Sequence, residues 1–341
     1  MTQTPQEEIQ QQAGKVLQQV AGYVGVRTID IGLRHGLLEE MSKHSSGLTA
    51  DELAKNAGID PFYAMVWCRS AYANEILERD GNRFLLAPHM DRLLLDHDFP
   101  GHVGGMPAVL LSYDMFDRFS ENLKSGERSW WDQCTPEFIQ GVVTTGRSFM
   151  NRLVPAGIAR IDGLQQQLEG GARVLELATG GGFGISKMAQ TYPKSTFVGV
   201  DGDAYSLGLA AEAVKNAGAA DRVELVESTF EDFARDGEFD AAVINISMHE
   251  CRDIERVAAN VHRALKPGGT FVISDFPFPE TVEETRTVPA RIMSGIQFFE
   301  ALIDDQLLPT SEFVSLLERH NFKDVDAFDI TPVHAVTHGR K

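Results

Sequence analysis

The stretch VLELATGGGFG, residues 174–184, decides how the chain is read. A short apolar run carries Glu176 near its end and breaks into a turn holding Gly180, Gly181, Gly182 and Gly184, after which ISKMAQTY has the composition of a helix. Glycines are required where backbone takes positive φ or must approach a ligand closely. In open α/β sheets that place lies outside the carboxyl ends of the strands. The next apolar run, VGVD, ends on Asp201, 25 residues after Glu176. A carboxylate at that position can accept both hydroxyls of a nucleoside ribose.

The glycine spacing narrows the choice of nucleotide. A dinucleotide site needs G-x-G-x-x-G, but the third place falls on Ile185 from Gly180 and on Lys187 from Gly182. A phosphate-binding GK[ST] loop is absent from the sequence. An acid ahead of alternating glycines suits instead a ligand with a charged amino group and no phosphate.

Beyond this stretch, apolar runs alternate with helical segments. They are Val174–Ala178, Thr196–Val200, Val223–Val226, Ala241–Ile246 and Thr270–Ser274. The alternation predicts an α/β fold, a mainly parallel sheet with helices on both faces. Val325–Ile330 and Val333–Thr337 are separated only by Thr331-Pro332, too short for a crossover, so the last pair should be antiparallel.

The first hundred residues have another period. Ile9, Val16, Val20, Tyr23 and Val24 recur at helical spacing, and the apolar helical character continues from Thr28 to Leu38. Thr49 with Glu52 forms a capping box, Pro61 opens a second helix, and ILERDGNRFLLAP reads as a hairpin turning at Asp80-Gly81. Helix, turn, helix and hairpin is the order of a winged helix. The expected organisation is a winged-helix-like dimerisation domain over 1–100, a helical connection over 101–165 that contributes to the substrate pocket, and a catalytic domain over 166–341. The first helix has too little core within its hundred residues to cover it, which predicts a homodimer.

Composition excludes several classes. Net charge is −18, against broad attraction to nucleic acid or anionic membrane. No apolar run approaches the roughly 20 residues that span a bilayer. The polar, acidic opening MTQTPQEEIQQQ lacks the features of a signal peptide, and Cys68, Cys134 and Cys251 show neither metal nor disulfide spacing. A cytoplasmic protein without a metal is expected. A winged helix also raises a DNA-binding regulator. However, the candidate recognition helix from Pro61 to Glu75 carries only Arg69 as a cation, and residues 1–100 hold 9 Lys and Arg against 14 Asp and Glu.

The first motif resembles that of the class I methyltransferases, [D/E]-x-G-x-G-x-G, as Glu176-Leu-Ala178-Thr-Gly180-Gly-Gly182 with Ala178 at the first glycine. Alanine costs little there if its φ is negative. ALKPGGTFVISDF (264–276) resembles the turn and fifth strand of the same family, and the whole order resembles small-molecule O-methyltransferases of the caffeate and hydroxyindole type. The resemblance implies a Rossmann-like seven-stranded sheet with an antiparallel final strand. It implies S-adenosylmethionine as methyl donor, S-adenosylhomocysteine as product, and a small aromatic or hydroxylated acceptor. Gly180 and Gly182 would back the methionine part, Glu176 would lie near its amino group, and Asp201 would hold the ribose. Thr229-Phe230 falls at the adenine, Asn245 at a polar cofactor contact, and Phe149-Met150 against the sulfonium.

His249, in NISMHECRD, matches the family's general base, an imidazole suited to taking a proton from a hydroxyl. It is followed by Glu250 where relatives have aspartate, and the acid expected ahead of the final helix is replaced around Leu308-Pro309, which removes a partner for the histidine. Tyr113, Phe116, Phe119, Trp130, Trp131, Met293, Phe298 and Phe299 flank the places where relatives bind substrate, although side chains of these types are as readily core. Cys251 is expected in the core and His262 on a solvated helix face.

Overall fold

A computed structural model describes residues 4–341 and divides the chain into two compact units, Met1–Ala108 and Val109–Lys341. In the first unit, Thr4 and Glu7 close a capping box on a 30-residue helix, Pro5–Arg34. Only its final third is packed. There the Trp67 indole donates to the Thr28 carbonyl at 3.0 Å, and Gly32 lies so close to Trp67 and Leu38 that a Cβ would stand 2.8–2.9 Å from them. The expected box of Thr49 and Glu52 opens the helix Ala50–Ala57, and Asp60 caps Pro61–Ala73, with Pro61 in the first turn. Strands β1 (Leu77–Asp80) and β2 (Arg83–Leu86) then form the hairpin, turning through Gly81-Asn82 with Gly81 at φ 59°. Leu38, Leu53, Trp67, Cys68 and Phe84 are among the buried core side chains.

In the second unit the remaining strands are β3 (Arg173–Leu177), β4 (Thr196–Asp201), β5 (Val223–Glu227), β6 (Phe239–Asn245), β7 (Leu265–Asp275), β8 (Lys323–Thr331) and β9 (His334–Arg340). They form one seven-stranded sheet in the order β5-β4-β3-β6-β7-β9-β8. Every pair from β5 to β7 is parallel, while β9 runs antiparallel to both β7 and β8, as the short Thr331-Pro332 link required. Two apolar clusters fill the layers between sheet and helices. One gathers Leu175, Val198, Ile244, Phe271 and Leu317, the other Val174, Ile185, Phe197, Val243 and Val272. Adjacent residues of β3 thus serve opposite faces, the alternation of a strand covered on both sides. No helix of the described residues is long and apolar enough to cross a membrane.

Two predicted strand runs stop one residue early. Ala178 and Ile246 both turn into the left-handed region, at φ 56° and 49°. The negative φ that would have made Ala178 harmless is therefore not what the chain adopts. For an L-residue this conformation costs roughly 1–2 kcal/mol, of which a glycine would return up to about 1 in chain entropy when unfolded. Ala178→Gly should therefore stabilise the protein by about 0.5–1 kcal/mol in denaturant unfolding, and a destabilised variant would show that the methyl group's packing outweighs the strain.

Candidate active site

The site is built on the carboxyl ends of the parallel strands. Glu176, the fourth residue of β3, is 3% exposed and points under the glycine loop, where a Cβ on Gly184 would collide with its carboxylate. Burial pushes Glu176 up to about 8, with hydrogen bonds from Thr179 and the Ile185 amide offsetting only part of it. Its Oε2 is buried with no hydrogen-bond partner among the described residues. An orphaned carboxylate oxygen beneath a glycine turn is a place for a cation with N–H groups to donate.

Gly180 and Gly182 take φ of 50° and 77°, the conformation that the turn reserves for glycine. The Gly180 amide donates to Asp201 Oδ2 at 2.8 Å and the Asp203 amide to Oδ1 at 2.9 Å. Asp201 is thereby fixed at the loop, with the Gly202 amide donating as well, and its carboxylate keeps lone-pair capacity for a ligand's hydroxyl. Burial holds its carboxyl above the usual value despite these amides.

Helix Pro136–Arg152 closes over the loop. Val143 lies beside Gly181, and Met150 reaches Gly184, close enough that an added Cβ would stand 3.0 Å from its Cε. Phe149 packs edge-on to Phe276 at 5.0 Å. Beyond β5, Thr229 is exposed with its hydroxyl committed to Asp232, while Phe230 is half-buried against the main core. Asn245 ends β6, and its Oδ1 accepts from Ser274 Oγ at 2.7 Å.

His249 follows β6 and is 3% exposed. Its Nδ1 meets both oxygens of Asp275, the last residue of β7, at 2.8 and 3.0 Å. Its Nε2 faces Glu300 Oε1 at 3.6 Å. The loss of an acid near Leu308 is thus made good from other elements, with one carboxylate on each side of the ring, and neither had been expected. Burial alone would lower the imidazole, but the charges of Asp275 and Glu300 outweigh it and hold His249 well above its usual value. Glu250 is half-buried, and the donor atoms of His249, Glu250 and Glu300 all lie within 4.8 Å of one another. Burial, then the charge of Glu300, raises both Glu250 and Asp305, the latter to about 6. Among His249, Glu250, Asp275, Glu300 and Asp305, the imidazole is the one group that can carry positive charge.

Helix Val288–Leu302 carries Glu300 together with Met293, Phe298 and Phe299. Phe298 contacts Phe116 at 5.0 Å and Phe119 at 4.9 Å, and Phe299 contacts Trp131 at 4.9 Å and Phe138 at 4.6 Å. Trp130 lies under Arg252 at 3.8 Å. Met293 is buried beside Phe149 and Phe276, and Tyr113 donates its hydroxyl to Glu121. Phe138 and Phe299 are core, whereas Tyr113, Phe116 and Phe298 keep between 37% and 44% of their surface exposed. Cys251 is buried in the main cluster as expected, while His262 is half-buried, edge-on to Phe322, rather than solvated.

Comparison with known proteins agrees with this geometry. Residues 174–269 match a family described as a methyltransferase domain. The ubiquinone/menaquinone biosynthesis C-methyltransferase UbiE of Geobacter sp. (strain M21) is 30% identical over 213 residues, covering 56% of this chain and 89% of that protein. Among solved structures, human N-acetylserotonin methyltransferase in complex with its methyl donor has a TM-score of 0.68 at 13% identity, over 97% of this chain and 98% of that one. A riboflavin-derivative N,N-dimethyltransferase from Streptomyces davawensis has a TM-score of 0.63 at 21% identity, over 99% of both chains. The chain belongs to the class I S-adenosylmethionine-dependent methyltransferases and is an enzyme of that kind. Two of these proteins are named for different acceptor atoms, carbon in one and nitrogen in the other, so the acceptor has to be argued from the site.

Proposed function

We propose that the enzyme methylates a hydroxyl oxygen on a small aromatic acceptor, with His249 as general base and Asp275 as the residue that orients it. The observation that carries this reading is the bond from His249 Nδ1 to Asp275, which commits that nitrogen and leaves Nε2, facing Glu300 at 3.6 Å, as the one to receive a proton. Bound S-adenosylmethionine supplies an electrophilic methyl group on a sulfonium. The chain's part is to place both reactants and to receive a proton. Glu176 takes the ammonium of the donor's amino acid portion, Gly180 and Gly182 let the backbone approach, and Asp201 holds the ribose. Asn245, Met150, Phe230 and the Thr229 backbone complete that half of the site. These residues fit the group because Glu176 offers an orphaned oxygen and the loop is open where side chains would block it. Tyr113, Phe116, Trp130, Trp131, Met293 and Phe298 would line the acceptor half. Incubation with the methyl donor and a panel of phenols, catechols, amines and thiols, read by mass spectrometry, tests the reading. Methylation confined to nitrogen, sulfur or carbon would overturn it.

The same reading includes a homodimer through the first unit, in a reducing cytoplasm where three free cysteines persist. Ile9, Val16, Leu17, Val20 and Tyr23 on the long helix are 55–69% exposed, and Phe62 and Tyr63 are each 73% exposed. That much exposed apolar surface calls for a partner, and a second copy is the one always present. Deleting residues 1–25 should convert a dimer to monomer or aggregate in sedimentation. A truncated protein that sediments as the intact one does would remove the basis for this interface.

A further inference from the structure

A second buried polar chain runs beside His249 and does not touch it. The Arg152 Nε donates to His334 Nδ1 at 3.1 Å, His334 Nε2 lies 2.8 Å from Ser274 Oγ, and Ser274 Oγ lies 2.7 Å from Asn245 Oδ1. Every hydrogen in it can be placed. A guanidinium has only donors, so Nδ1 of His334 must accept and Nε2 must carry the proton. Ser274 then accepts from Nε2–H and spends its one hydroxyl proton on the carboxamide oxygen of Asn245. His334 and Ser274 are fully buried, so water does not scramble the order. Burial, then the charge of Arg152, holds His334 down at about 3, which keeps the ring neutral and the direction fixed.

An asparagine free to flip can offer either edge of its amide to a ligand. Asn245 cannot, since its oxygen is taken by Ser274, and only the NH2 is left to meet one. It ends β6, next to β3, whose Leu177 pairs with Ile244, so it stands beside the start of the glycine loop. We infer that Arg152, His334 and Ser274 are positioning residues that lock Asn245 as a hydrogen-bond donor to an oxygen of the methyl donor, a carboxylate or hydroxyl oxygen and not an amino group. This rests on the reading of Asn245 as a cofactor contact.

The test is a set of mutant cycles read by calorimetric affinity for S-adenosylhomocysteine, with thermal melting to verify folding. Ser274→Ala should weaken binding about 3–10-fold in the wild-type background and less than 1.5-fold in an Asn245→Ala background. Arg152→Met, which frees the His334 tautomer, should show the same dependence on Asn245. Asn245→Asp, nearly isosteric but without a donor, should lose more than Asn245→Ala. Additive losses in both cycles would make the chain merely structural and overturn the inference. So would an Asn245→Ala protein of unchanged affinity while Asp201→Ala is weakened tenfold or more, with the cofactor site itself left standing. If Asp201→Ala also bound normally, the placement of the cofactor would fail and the inference with it.

Discussion

Replacing His249 with alanine is expected to lower turnover by about 10²–10⁴-fold. Affinity for S-adenosylhomocysteine should stay close to wild type, because Glu176 and Asp201 lie on other strands. The pH dependence separates a base from a lining residue. Carboxylates on both sides hold the His249 imidazole well above its ordinary value, which favours the protonated ring in the free enzyme. The fraction able to take a proton grows with pH, and kcat/KM should climb on the alkaline side of about 6.5, the ordinary imidazole value. Glu300→Gln removes one of the raising charges, so the same limb should move to lower pH. An alanine variant within tenfold of wild type that keeps the limb would mean an acceptor nucleophilic enough to need no base.

Binding of S-adenosylhomocysteine should tighten by about tenfold for each pH unit from 6 toward 8 and then level off. The reason is Glu176, raised to about 8, which is mostly protonated at neutral pH in the free enzyme. An ammonium pairs with the carboxylate form, so binding must release close to one proton, measurable by calorimetry in two buffers of different ionisation enthalpy. The sign for stability runs the other way. An acid whose pKa is higher folded than unfolded favours the folded state at low pH, and that advantage is lost as pH rises from the unfolded value through about 8. Glu176→Gln should therefore flatten this decline and stabilise the free enzyme near neutrality by up to about 3 kcal/mol, read as a higher melting temperature. It should also bind S-adenosylhomocysteine more weakly, with no dependence on pH. A wild-type affinity that is flat from pH 6 to 8 would show that Glu176 does not carry the ammonium.

The parts of this enzyme that were legible beforehand are those that depend on neighbours in sequence. The strands carrying Glu176 and Asp201 near their ends, the glycine turn, the cap at Thr49 and the helix start at Pro61 follow from patterns a few residues long, and so does the antiparallel end of the sheet. His249 was found by resemblance alone. Its partners were not found, because Asp275 lies 26 positions away and Glu300 comes from a helix read for its apolar side chains, Met293, Phe298 and Phe299. Nothing local marks one acid among many as the one facing a ring. The conformation of Ala178 was missed for a related reason: φ at the first turn position is set by where Gly180 must be to meet Asp201, a tertiary demand that alanine's own preference does not reveal.

The placement of β9 between β7 and β8 has a consequence for biosynthesis. The sheet receives its antiparallel member only after all five parallel strands have been made, and His334 then meets Ser274 across 60 positions of sequence. Such pairings close large loops and form slowly. A nascent chain can have its glycine turn and Asp201 in place while the Asn245 amide is still free to rotate. Competence to hold the donor tightly would then appear in two stages, and ligand affinity would report the arrival of β9 during refolding more stringently than the regain of helix or compactness.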